Sequence, residues 1–226
     1  MKRIFVRVFC LMLLSSPACF ATDLPSGAYR WGKLDRDGIG KYYMDRQISH
    51  VMGHLGASWL EREGREREER TDLIIANLSL EDNSVVADIG AGTGYFSFPV
   101  ARRVPGGRVL AVDIQEEMLN IIEKRKKQAG IGNIETVLGS TTDPNLPAET
   151  VDLAFIVDAY HEFSHPFEMS QAIFSALKPG GRLVLIEYRG EDASVPIKPL
   201  HKMTQQQVRK EMQAVGFRWE GTRDFL

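Results

Sequence analysis

Asp88 stands ahead of three glycines on alternate positions, Gly90, Gly92 and Gly94, in the stretch VVADIGAGTGYFS over 85–97. A short apolar run that breaks into glycines lets the backbone turn tightly and approach a bound molecule closely. The acid decides which kind of molecule. A pyrophosphate would lie against the N-terminus of the following helix, where a neighbouring carboxylate repels it. The dinucleotide spacing G-x-G-x-x-G also needs a glycine at position 95, which is Tyr95. A positively charged ligand without phosphate gains a Coulomb attraction from the same acid. A second reactive group, Asp158, Tyr160, His161 and Glu162 in DAYHEF (158–163), follows another apolar run. His161 is the strongest candidate there for proton transfer, because an imidazole titrates near neutrality. Glu187, at the end of a further apolar run, is a second wall candidate or an ion-pair partner of Arg189 or another nearby base.

For these residues to meet, the elements between them must bring them to one edge. Apolar runs at 85–89, 109–112, 134–138, 151–157 and 183–188 alternate with helical stretches at 94–104, 115–129 and 166–177. That alternation predicts an α/β fold: a doubly wound, mostly parallel sheet with helices on both faces. VDLAFIV, apolar almost throughout, suits a central strand buried on both sides. Ligands in such sheets sit at the carboxyl ends of the strands, where Asp88 and the 158–163 segment would project. LKPGG (177–181) reads as a helix stop. Thr204 with Gln207 predicts a capping box, Met203 with Val208 a hydrophobic staple, and Gly216 the helix end. FRWEGTRDFL then reads as a strand and a turn. Upstream, residues 22–45 lack periodicity and read as a loop. Ile48, Val51, Met52, Leu55, Trp59 and Leu60 recur at helical spacing over 46–62. The charge run EREGREREER (61–70) reads as a solvated helix face or linker.

Four ordered elements carry a resemblance: the acid with G-x-G-x-G, the acid Asp113 closing VLAVD 19 residues beyond Gly94, the segment PAETVDLAFIVDAYHEF, and LKPGGRLVLIEY. Together they resemble the class I S-adenosylmethionine-dependent methyltransferases, over about residues 71–220. The resemblance implies a Rossmann-like sheet and S-adenosyl-L-methionine as cofactor. It implies cofactor contacts from Asp88, Gly90, Ala91, Gly92 and Gly94 in the turn, from Asp113 to the ribose hydroxyls, from Ile114 to the adenine, and from Asp158. Many relatives place an acid directly after the glycine that ends the third strand. Here Gly139 is followed by Ser140, Thr141 and Thr142, so the adenine contact falls to Asp143 or Thr141. Methyl transfer would go to a small-molecule or protein acceptor, with His161, Glu162 and Tyr160 as the catalytic group; the alternative is a protein that binds the donor or its demethylated product without turnover. His50 or His54, with Trp59, would form a helical lid. The family sheet usually ends in an antiparallel hairpin, and this sequence stops about where the last strand should begin, so an incomplete C-terminal edge hairpin is expected.

The 226 residues predict three segments: a signal peptide over 1–21, a lead-in and helical lid over 22–70, and the cofactor-binding domain over 71–226. Lys2, Arg3 and Arg7, the apolar VFCLMLL, and small residues around Ala18 and Ala21 have the order of a secretory signal. Export, to the periplasm, is expected, with a cytoplasmic location if export is inefficient and no stable membrane insertion once the signal is cleaved. Cys10 and Cys19 both lie in this segment, so the mature chain would have no thiolate chemistry. A net charge of −2 provides no basic field, and nucleic acid is not an expected partner. Within the resemblance, the missing Asn-Pro-Pro-aromatic motif after the fourth apolar run argues against the common base-amino methyltransferases. His50 and His54 lie four apart but without H-E-x-x-H, and no metal site is expected.

Overall fold

The computed structural model describes residues 3–9 and 23–223. Its main sheet has seven strands in the order β10-β1-β9-β8-β5-β6-β7. These are β1 (Arg3–Phe9), β5 (Val85–Ile89), β6 (Arg108–Asp113), β7 (Ile134–Leu138), β8 (Val151–Val157), β9 (Leu177–Tyr188) and β10 (Arg218–Arg223). From β7 to β9 the five neighbours run parallel, and they are the five apolar runs of the sequence. Helices α4 (Ser97–Arg103), α5 (Glu116–Ala129), α6 (Pro166–Ala176) and α7 (Gln205–Val215) complete the predicted α/β fold.

β8 shows why its sequence is apolar on both parities. Leu153 and Phe155 join the core that holds Phe98 and Ile122, whereas Ala154 and Ile156 join the core that holds Phe167 and Val208. Alternate side chains of one strand thus enter opposite layers. The chain leaves β5 for β6 and β7 on one side and returns to place β8 on the other. Strand order reverses beside β5, so a crevice opens at the carboxyl ends of β5 and β8.

The expected gap in the edge hairpin is filled by β1, which lies antiparallel between β9 and β10, with Phe5 level with Ile186 on one side and Arg223 on the other. Of the predicted signal segment, all but these residues lie outside the described ones. No helix among the described residues is long and apolar enough to cross a membrane.

Upstream, the structure departs from the expectation. The predicted loop at 22–45 contains β2 (Tyr29–Trp31) and β3 (Gly38–Tyr43), which form a three-stranded antiparallel sheet with β4 (Arg46–Ser49). The predicted helix over 46–62 is therefore a strand, then a short turn at His54–Gly56 and a single turn of helix, α1 (Ala57–Leu60). Gly53 and Gly56 weaken a continuous helix. The hairpin between β3 and β4 turns through Met44 and Asp45, both at positive φ (46° and 76°), without the glycine that usually marks such a turn. The 61–70 run is solvated over most of its length. Its short helix α2 (Arg65–Glu69) buries both end residues, paired at 3.0 Å, before α3 (Thr71–Ala76) begins. Thr204 does cap α7, accepting the Gln207 N–H at 3.1 Å. The Gln207 amide NH2 donates elsewhere, to Met44 O and to Glu211.

Candidate functional site

After β5 the chain turns through Gly90, Gly92 and Gly94, all at positive φ. Gly90 and Ala91 both donate to Val112 O at 2.9 Å, which ties the turn to the end of β6. A Cβ on Gly90 would stand 3.1 Å from Ala159, and one on Gly92 would stand 2.9 Å from Leu60. Gly94 instead packs against Phe98 and Ile122, so it serves the junction of turn and helix. Asp113, at the tip of β6, accepts the Gly92 N–H at 2.8 Å on Oδ2 and the Gln115 N–H at 2.9 Å on Oδ1. Each of its oxygens keeps a further lone pair for a ligand hydroxyl.

Asp88 is buried and accepts the Ser97 hydroxyl at 2.6 Å. Burial pushes its carboxyl up to about 7; Ser97 and the guanidinium of Arg65 oppose the shift, and Asp113 adds to it. The unfolded chain releases this proton near pH 4 and the folded one near 7. Its stabilising contribution is thus complete below about pH 4 and lost as pH rises through about 7. A cation beside Asp88 favours the ionised form, so a cationic ligand binds more tightly above pH 7 than below it.

These groups line one cavity at the carboxyl ends of β5, β6 and β8, and Ile114, Thr141 and Asp158 share its wall. Residues 50–60 cross its mouth as a strap. Gln115 holds the strap from one side, accepting from His54 N at 2.7 Å and donating to Met52 O at 2.9 Å. Glu162 holds it from the other, accepting from Met52 N at 3.0 Å. Glu61 bonds Thr93 and Arg125, both at 2.5 Å, and so fixes the end of α1 over the glycine turn. Arg65 reaches the same wall, stacked 4.1 Å over the Tyr95 ring.

The segment after β8 separates the residues that the sequence grouped together. Asp158 and Glu162 face the cavity. Tyr160 is buried away from it, donating its hydroxyl to Glu211 at 2.7 Å. His161 is also buried, Nδ1 2.7 Å from Glu187 Oε2 and Nε2 3.1 Å from His201 Nδ1. Burial opposes its charge, but Glu187 outweighs burial and raises the imidazole to about 9. Burial raises the Glu162 carboxyl to about 7, with His161 opposing. Of the two adenine candidates, Thr141 lines the cavity, whereas the Asp143 carboxylate accepts the Asn145 N–H at 2.7 Å within its own exposed loop. Glu187 pairs with His161 and does not reach the wall. His50 is exposed and His54 lies 3.8 Å from Glu117, so the two imidazoles share no helix face. Arg65, Gln115, Ser97 and His201 were not visible as site residues in the sequence. Only Ser97 carried a signal, as the residue that closes the glycine stretch.

Residues 86–181 match a family model described as a methyltransferase domain. A methyltransferase-like protein of Schizosaccharomyces pombe is 31% identical over 126 residues, 56% of this chain and 46% of that protein. The mitochondrial 2-methoxy-6-polyprenyl-1,4-benzoquinol methylase of Caenorhabditis elegans is 27% identical over 133 residues, 58% of this chain and 46% of its own length. The chain spans less than half the length of these curated relatives. In fold it is similar to a SAM dependent methyltransferase from Aquifex aeolicus, with a TM-score of 0.70 at 24% identity over 74% of this chain and 90% of the other.

Proposed function

We propose that this chain, whose residues 86–181 match a methyltransferase-domain model, is an S-adenosyl-L-methionine-dependent methyltransferase of the class I type. One observation carries the reading: two buried acids, Asp88 and Asp113, flank a single glycine turn in one cavity, with no lysine or arginine in the turn itself. The donor supplies an already activated methyl group on a sulfonium. Asp88 and Arg65 offer opposite charges to the ammonium and carboxylate of its amino acid end. Asp113 offers carboxylate oxygens to the ribose, and Ile114 and Thr141 flank the adenine.

Among the three expected catalytic residues, Glu162 reaches the acceptor, His161 is a positioning residue behind it, and Tyr160 holds the turn. Ile39, Val51, Phe163 and Met169 make the rest of the wall apolar, which favours a small apolar acceptor over a protein side chain. The benzoquinol named for the nematode relative carries an apolar polyprenyl chain.

Calorimetry of the full chain with the donor, its demethylated product and NAD, at pH 6 and pH 8, tests the donor site. Both sulfur compounds should bind and NAD should not. Ionisation of Asp88 should tighten donor binding by up to about tenfold over that interval. Binding of NAD alone would overturn the reading. Mass spectrometry of an extract incubated with isotopically labelled donor then identifies the acceptor; product binding with no labelled acceptor would select a binding protein without turnover.

Export belongs to the proposal through the charged, apolar and small-residue order of residues 1–21. Cleavage after Ala21 and retention of β1 in the sheet exclude each other. N-terminal sequencing of the cell-derived protein should find residue 22 first if the segment is a signal, and Met1 or Lys2 if it is not.

A further inference from the structure

His161, Glu162 and His201 come from two segments 40 residues apart, yet their ligand atoms lie within 4.8 Å of one another. His161 Nε2 is 3.1 Å from His201 Nδ1 and 3.8 Å from Glu162 Oε1. Two ligands bound at 2.0–2.1 Å to one tetrahedral ion stand about 3.3 Å apart, so both separations straddle the value such a site needs. The imidazole rings are steeply inclined, at 70°, and not stacked.

The surroundings fix these groups as a site would require. Glu187, buried, takes His161 Nδ1 on one oxygen and the Tyr160 N–H, at 2.8 Å, on the other. His161 Nε2 is thereby turned toward His201 and Glu162, the arrangement of a carboxylate behind a metal-binding histidine. The His201 segment is fastened to the end of the Glu187 strand by Met203 N to Tyr188 O at 2.9 Å and Gly190 N to Met203 O at 2.8 Å.

We propose that His161, His201 and Glu162 form a binding site for one divalent transition-metal ion of the zinc class, with Glu187 as its outer carboxylate. Two imidazoles and one carboxylate favour zinc, cobalt or nickel over magnesium or calcium, which take oxygen ligands. Glu162 also lines the large cavity, so the ion would sit in the cavity wall. The site does not depend on methyl transfer. Spacing along the chain gives no sign of it, because only His161 and Glu162 are adjacent.

The test uses the full chain, stripped with a chelator and titrated with Co2+, read by its visible absorption and by displacement with Zn2+. One ion per chain is expected. His201→Ala and Glu162→Gln should each weaken binding by about tenfold or more, while His54→Ala leaves it unchanged. Zn2+ should raise the melting temperature of the native chain by more than that of either variant. Ion-free melting of the variants close to that of the native chain shows that they fold. Three results would each overturn the proposal: no uptake of either ion, uptake that survives both variants, or uptake lost with His54→Ala. The first would leave the His161–His201 contact as a plain hydrogen bond between imidazoles.

Discussion

Asp113→Ala is expected to abolish measurable binding of the donor and of its demethylated product while the protein stays folded. The carboxylate is buried at the tip of β6 and organises the turn, accepting N–H groups of Gly92 and Gln115. Alanine strands both donors and removes the acceptors proposed for the ribose. Hydrogen bonds to a charged group contribute about 1.5–3 kcal/mol each, so losing two ligand bonds lowers affinity by about 100-fold or more. Stranding the two N–H donors also costs stability, by about 1–3 kcal/mol for each one left buried, with a partial offset. Burial already holds this carboxyl above its usual range, and its removal relieves part of that desolvation. Asp113→Asn keeps one acceptor oxygen and should fall between. Calorimetry beside thermal melting separates the two effects, and native affinity in Asp113→Ala would remove this residue from the donor site.

The largest expected loss of stability is at Glu211→Ala. This carboxylate on α7 is fully buried and accepts from Arg46 Nε at 2.9 Å, Arg46 Nη2 at 3.1 Å, Tyr160 Oη at 2.7 Å and Gln207 Nε2 at 2.8 Å. Alanine leaves the Arg46 guanidinium enclosed without its counter-charge, which costs about 3–5 kcal/mol. For a domain of this size the melting temperature should drop by about 10 °C. Urea unfolding with an unchanged m-value would show that the loss is in stability. Converting the whole set to apolar residues, with Arg46→Met, Tyr160→Phe and Glu211→Leu, should recover much of it, since no charge is then left enclosed. A drop below about 1 kcal/mol would mean that water reaches the pair. Arg46 also donates to His161 O at 3.0 Å, so the same variant should loosen the turn that presents Glu162.

The parts of the fold legible in the sequence are those fixed by local pattern. Each of the five parallel strands is an apolar run of its own, and the glycine turn declares itself through its spacing. The β2-β3-β4 sheet was not legible, because Met44 and Asp45 make a positive-φ turn without glycine, and because Ile48, Val51 and Met52 mimic a helical stripe. Arg65 and Glu69 were hidden among like residues, and only the stacking of Arg65 over Tyr95 and Phe96, with its ion pair to Glu69, distinguishes the buried pair from the exposed ones. In DAYHEF the residue types were visible but their directions were not. Asp158 and Glu162 face the cavity while Tyr160 and His161 turn inward, a division set by a short helical turn over Tyr160–Glu162 that no periodicity announces. His201 lies beyond any spacing rule.

Asp158 sits at a φ of 53°, a left-handed conformation that glycine adopts more easily, with its N–H donated to Ile186 O at 2.8 Å. The strain is of the order of 1 kcal/mol, and glycine would relieve it at the loss of a carboxylate from the cavity wall. Robustness and ligand recognition therefore pull this one position in opposite directions, and a search for hardier variants scored by heat alone would drift toward a chain that survives better and recognises less.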